Sequence, residues 1–145
     1  MATKSTIAVI HEDHTISQIY CHYDGQLTHN GKLLSEKYDT LLRVEFLISK
    51  GDLNMLREKV TPNHDLEHSF NNPQKDVCLY YGRDGDNDDN VNTEPRKFAN
   101  ISDYRLYLKS QDLNYLFVDG RWMYQLKVND PVMRSVVEHL QMDEY

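Results

Sequence analysis

Tyr115-Leu116-Phe117-Val118-Asp119-Gly120-Arg121-Trp122-Met123-Tyr124-Gln125-Leu126 reads as two ring-rich strands closed by an Asp-Gly turn. That pair signals a two-residue type I′ hairpin, because both central residues must take positive φ and the resulting twist matches the strands. A second hairpin is expected at the other end of the chain. There Ile7-Ala8-Val9-Ile10, the polar link His11-Glu12-Asp13-His14 and the run Thr15 to Tyr23 give strand, turn and strand. Strands at both ends with helical patterns between them imply an α+β domain. Its sheet is expected to be mainly antiparallel, built from the N- and C-terminal hairpins and covered on one face by helices.

Period-two alternation along the second strand puts Ser17, Ile19, Cys21 and Tyr23 on one face, the core side. Ile16, Gln18, Tyr20, His22 and Asp24 fall on the other. Thr28 or Asn30 then caps a helix through Lys32 to Tyr38, and Asp39 or Thr40 caps a second, striped by Leu41, Val44, Leu47 and Ile48. Gly51 sits where a left-handed residue ends that helix. Asp52 to Val60 suggests another short helix, Val77 to Tyr81 a strand, and Ile101 to Gln111 a helix capped by Ser102. A polar stretch near 84–95 reads as a mobile acidic loop. Asp130 before Pro131 starts a C-terminal helix over 130–142. With 145 residues, 39% of them hydrophobic, one domain spanning 1–145 has enough apolar mass for its own core.

A net charge of -7 argues against a nucleic-acid partner, which requires a basic face to displace counterions from phosphates. The apolar stretch at 7–10 falls short of the about 7–15 residues of a secretory signal, and no run approaches the ~20 of a membrane span. No membrane association is therefore expected. Cys21 and Cys78 form no CxxC pair, and in a reduced cytoplasm both stay free thiols.

The richest chemistry lies where the first hairpin hands over to a helix. His22, Asp24, His29 and Asn30 can converge there as a polar corner, with Lys32 and the free amides of the helix start favouring a carboxylate or phosphate. Arg83 and Asp84, in the turn Gly82-Arg83-Asp84-Gly85, extend that site if the sheet brings the two turns together. The bland alternative is a hydrogen-bonded corner capped by Asn30. Cys21 and His22 do not make a nucleophile and base, since neighbours on a strand face opposite ways.

His64-Asp65-Leu66-Glu67-His68 matches the H-x-x-E-H zinc pattern, but Pro62 and Pro73 leave little room for the helix it needs. His64 and His68 are thus weak metal candidates. Asp84, Asp86 and Asp88 imitate an EF-hand until Asp89 and Pro95 replace its glycine and glutamate. No cofactor or metal is expected.

Tyr20-Cys21-His22-x-Asp24-Gly25, His29-Asn30-Gly31-x-x-Leu34, Leu47-Ile48-x-x-Gly51-Asp52-Leu53, Tyr81-Gly82-Arg83-Asp84 and Asp119-Gly120-x-Trp122 together resemble a family of small proteins of tailed bacteriophages and prophages. The resemblance spans roughly the first 125 residues and carries no activity. It implies a phage accessory protein acting in the host bacterial cytoplasm, with the helix from Pro131 as an addition. With acidity, abundant tyrosines and no complete catalytic set, the expectation is a non-enzymatic binder of a host macromolecule, a host protein above all. A binder or hydrolase of a small anionic ligand or nucleotide is the alternative, and a metal-dependent enzyme the third. Val132, Val136, Val137 and Leu140 offer a homo-oligomer contact through the C-terminal helix.

Overall fold

The computed structural model describes residues 3–85, 92–108, 111–126 and 133–142. The N-terminal hairpin forms as expected from β1 (Ser5–Ile10) and β2 (Ile16–Cys21). His11 N donates to Thr15 O at 2.8 Å, and His14 takes φ 69° to turn the chain. Asp13 closes this turn by accepting from the Thr15 hydroxyl and amide, bonds that hold its carboxyl below the usual range.

A π-helical turn, Leu27–Gly31, runs straight into α1 (Lys32–Lys37), followed by α2 (Leu41–Ser49). Of the two candidates Asp39 and Thr40, the Thr40 hydroxyl caps α2 by accepting from Arg43 N, and Gly51 leaves the helix at φ 94°, as the sequence predicts. Then come β3 (Leu53–Met55), β4 (Leu79–Tyr80), the single turn α3 (Tyr81–Asp84), β5 (Arg96–Phe98) and α4 (Ile101–Leu106). The chain closes with β6 (Leu113–Val118), β7 (Arg121–Gln125), β8 (Arg134–Ser135) and α5 (Val136–Met142). Asp119 at φ 52° and Gly120 at φ 77° make the type I′ turn between β6 and β7.

All eight strands join one sheet in the order β4-β3-β2-β1-β6-β7-β8, with β5 also beside β2. The sheet is mixed. β1 lies parallel to β6, and β2 parallel to β3; the other named pairings are antiparallel. The two hairpins thus meet through their first strands, from Ser5 opposite Leu113 to Val9 opposite Phe117.

Alternation sends Ile7, Val9, Ile19, Cys21, Leu113, Tyr115 and Phe117 to one face, where Leu34, Val44, Leu47 and Ile48 from α1 and α2 complete the main core. The indole of Trp122 ties β7 to this layer by donating to Tyr38 O at 2.7 Å. The opposite face also carries apolar side chains, contrary to the expectation of one covered face. Ala8, Ile16 and Leu116 pack there under Tyr104 and Leu108. Strands buried on both faces need a second cover, and the segment around α4 supplies it.

The short helix expected over 52–60 is replaced by β3, because Leu53 finds strand partners in both Cys21 and Tyr80. Asp52 reinforces that pairing by accepting from Tyr20 N at 2.8 Å and from Arg96 Nη2 at 3.3 Å. Sheet pairing here outweighs a weak helical pattern. The strand expected at 77–81 narrows to Leu79–Tyr80, and Tyr81 begins α3. Asn100, and not Ser102, caps α4 by accepting from Asp103 N at 2.9 Å.

The C-terminal helix starts at Val136, after β8 has added a strand to the sheet; Asp130, Pro131 and Val132 lie outside the described residues. Val136 is buried and Leu140 packs on the main core, so α5 turns its apolar side inward and leaves Val137 exposed. Of the acidic stretch, Asp84 ends α3, while 86–91 lie outside the described residues. Among the described residues no helix is long and apolar enough to cross a membrane.

Candidate functional site

The polar corner forms around a turn that only a narrow set of conformations permits. Asp24 adopts φ 62°, and Gly25 passes so close to Thr3 that a Cβ would fall 2.7 Å from its carbonyl oxygen. Asn30 is fully buried. Its amide donates to Tyr23 O at 3.0 Å and to Cys21 Sγ at 3.5 Å, while its oxygen is 3.1 Å from His29 Nδ1. Asn30 therefore holds the loop to the strand end, and does not cap a helix.

The amides expected to bind an anion are engaged as well. His29 N and Gly31 N donate to Gln26 O, Asn30 N donates to Asp24 O, and Lys32 N donates within the π-helical turn. Because that turn continues into α1, no bare helix N-terminus faces the corner. Lys32 is exposed on α1. The Asp24 carboxylate sits 3.9 Å from His29 Nε2 and 3.8 Å from Arg57 Nη1, so Arg57 offers it a half-exposed counter-charge.

His22 leaves the opposite face of the strand from Cys21, as alternation requires. Its Nδ1 is 2.7 Å from the Tyr20 hydroxyl, and its ring meets Tyr23 edge-on at 4.5 Å. His22 and His29 thus have separate partners.

Arg83 and Asp84 belong to another cluster. Arg83 forks onto the Asp84 carboxylate, donates to Val60 O and Cys78 O, and lies over the Tyr80 ring. The Asp84 side chain is 3% exposed and also accepts from Tyr80 N. His68 joins them: its Nδ1 accepts from Gln74 N at 3.0 Å, and its Nε2 faces Cys78 O at 2.9 Å and Asp84 at 3.4 Å. Both ring nitrogens of His68 are occupied. The 64–68 segment is a turn and not a helix, so His64 and His68 do not share a helical face. Among the described residues no group of three or more His, Cys, Asp or Glu is arranged to hold a metal.

Neither thiol is poised to react. Burial pushes Cys21 up to about 12, against the favourable bond from Asn30, and raises Cys78 in the same direction.

A third grouping escaped the sequence reading. His11, just past β1, places Nε2 2.8 Å from Ser17 Oγ on β2, and its Nδ1 bonds Glu45 on α2. The three line an open cleft of about 740 Å³ with Ile48, Pro95, Lys97 and Phe98. His11 and Ser17 are six residues apart and Glu45 lies 34 beyond His11, on another element. Only the placement of α2 across the sheet joins them. Alternation had already put Ser17 on the core side of its strand, which was the one usable signal.

Beside the same helix lies a more open groove of about 700 Å³, which shares His11 and Glu45 with the cleft and adds Glu12, Asp13, Leu41 and Leu42. Leu42 is 81% exposed and Phe46, one turn on, 45%. No protein-family model, curated protein or solved structure matches the chain. The fold and site thus define it only as an α+β protein with a mixed eight-stranded sheet.

Proposed function

We propose that this chain is a phage accessory protein that works by binding a host protein in the bacterial cytoplasm. The observation that carries the reading is the outer face of α2. Leu42 and Phe46 stand exposed at i and i+4, so they share one side of the helix; Leu42 lines a groove with the acidic Glu12, Asp13 and Glu45, and Lys50 lies over the Phe46 ring. An apolar centre with an acidic rim fits a partner surface of apolar side chains flanked by lysine or arginine. The charge of -7 favours the same encounter, and the phage-like sequence blocks supply the setting.

The reading that a small anion binds at the corner requires His22, His29 and Arg83 to face one ligand. Their side chains have three separate sets of partners, so that alternative gains no common site.

Tagged protein expressed in host cells tests the proposal. The expected result is a near-stoichiometric partner with a basic surface, captured by the wild type and lost with Leu42→Asp and with Phe46→Asp. Both positions are exposed, so circular dichroism and melting temperature should stay near wild type. Equal capture by folded variants, or no enriched partner, overturns it.

A further inference from the structure

We propose that Ser17, His11 and Glu45 form an acyl-transfer site that accepts carboxylic esters with a small apolar acyl group. Three links must hold in such a site: nucleophile to base, base to orienting group, and room for a substrate at the nucleophile. The first is the 2.8 Å approach of Ser17 Oγ to His11 Nε2, and the second is the bond from His11 Nδ1 to Glu45. A carboxylate only accepts, so Glu45 fixes the proton on Nδ1 and turns the Nε2 lone pair toward Ser17. That is the tautomer a general base requires.

The third link is the cleft, about 740 Å³, which all three residues line. Its walls include Ile48, Pro95 and Ala99, which suit a small apolar acyl group. Ser17 pairs directly with Lys97 across β2 and β5. Opposite residues of antiparallel strands project to the same face, so Lys97 is the positive group on the side of the Ser17 hydroxyl. It suits the oxygen that gains charge during attack. The nucleophile and Lys97 sit on strands, the orienting group on a helix and the base at a strand end, the rigid placement such chemistry needs.

In the reaction, the Ser17 Oγ–C bond forms as its proton passes to His11 Nε2, and the carbonyl electron pair moves onto oxygen. Collapse of the adduct expels the alcohol, which takes the proton back from His11 and leaves acyl-Ser17. Water, deprotonated by His11, repeats the sequence and releases the carboxylic acid. Nothing is oxidised or reduced. Ser17 and His11 are catalytic residues here, and Glu45 is a positioning residue. The site adjoins the partner-binding face, since His11 and Glu45 also line the groove beside Leu42, but the variants that test the two differ.

The full-length protein treated with a fluorophosphonate probe and mapped by mass spectrometry tests the assignment. We expect a single adduct on Ser17, absent in Ser17→Ala and formed about 100-fold more slowly in His11→Gln, the scale of a lost general base. With p-nitrophenyl butyrate, Glu45→Gln should lower kcat at least about tenfold with KM unchanged, whereas a merely structural role predicts a lower melting temperature and no selective loss of kcat. Each variant is compared with wild type by circular dichroism. A folded wild-type protein that gives no Ser17 adduct, an adduct elsewhere, or a labelling rate unchanged in Glu45→Gln overturns the proposal.

Discussion

Replacing Asn30 by aspartate exchanges one donor for an acceptor at a position with no solvent exposure, and the consequence can be worked out from its partners. The amide now donates to Tyr23 O and to Cys21 Sγ. A carboxylate would face both without a proton to offer, although it could still accept from His29 Nδ1. Losing the amide leaves Tyr23 O with only the weak Cys21 thiol donor at 3.6 Å, a cost of about 1–3 kcal/mol, and burying the new charge adds to that. A total near 3 kcal/mol corresponds to a fall in melting temperature of about 6–12 °C for a chain of this size.

The pH dependence gives the sharper readout. Burial raises the folded-state pKa of the introduced carboxyl above its unfolded value of about 3.9. Its stability contribution is then fully present below that value and is lost as pH rises through the folded pKa. Urea denaturation of wild type and Asn30→Asp at pH 4.5, 6 and 8 should therefore show a gap that widens with pH. Asn30→Ala, which carries no charge, should show a constant gap of about 2–3 kcal/mol. A variant as stable as wild type at pH 8, or a gap that does not change, would refute the assignment of Asn30 to the fold.

Alkaline pH should destabilise the protein from about 9 upward. Cys21 ionises at about 12 in the folded state against 9.0 unfolded, so its contribution is intact below 9 and falls away through 12, by up to about 4 kcal/mol. Melting curves of wild type and Cys21→Ala between pH 8 and 11 check this, the variant showing the weaker decline. Tyr104 and Tyr115 should respond oppositely to loss of their hydroxyls. The Tyr115 hydroxyl donates to Gly25 O at 2.6 Å, so Tyr115→Phe should cost about 1–2 kcal/mol. The Tyr104 hydroxyl is buried without a partner, and Tyr104→Phe should be neutral or stabilising by chemical denaturation.

Local chemistry was legible in the sequence and long-range neighbours were not. Asp119-Gly120 announces its hairpin because two residues determine the turn, and Thr40 and Gly51 mark the ends of α2 for similarly local reasons. Alternation also separated Cys21 from His22 correctly. The strand at Leu53 stayed hidden because its identity comes from Cys21 and Tyr80, 32 and 27 residues away, and not from its own three residues. The corner around His22 and Asn30 was found by composition, but its hydrogen bonds turn out to serve the loop itself. The His11, Ser17 and Glu45 grouping has no spacing signature, since a helix laid across the sheet assembles it.

The parallel contact between β1 and β6 also dictates an order of folding. Thr6 bonds Asn114 across 108 positions of sequence. At about 5–20 residues per second, the ribosome takes roughly 5–20 s to deliver the second strand after the first. During that interval the N-terminal hairpin keeps the β1 edge that β6 will cover unpaired, a template for wrong association. Closing so long a loop is slow for entropic reasons as well, so the centre of the sheet forms late in folding. A nascent chain halted before Leu113 should therefore carry its first hairpin without a finished core, and should depend on chaperones until the last quarter of the polypeptide arrives.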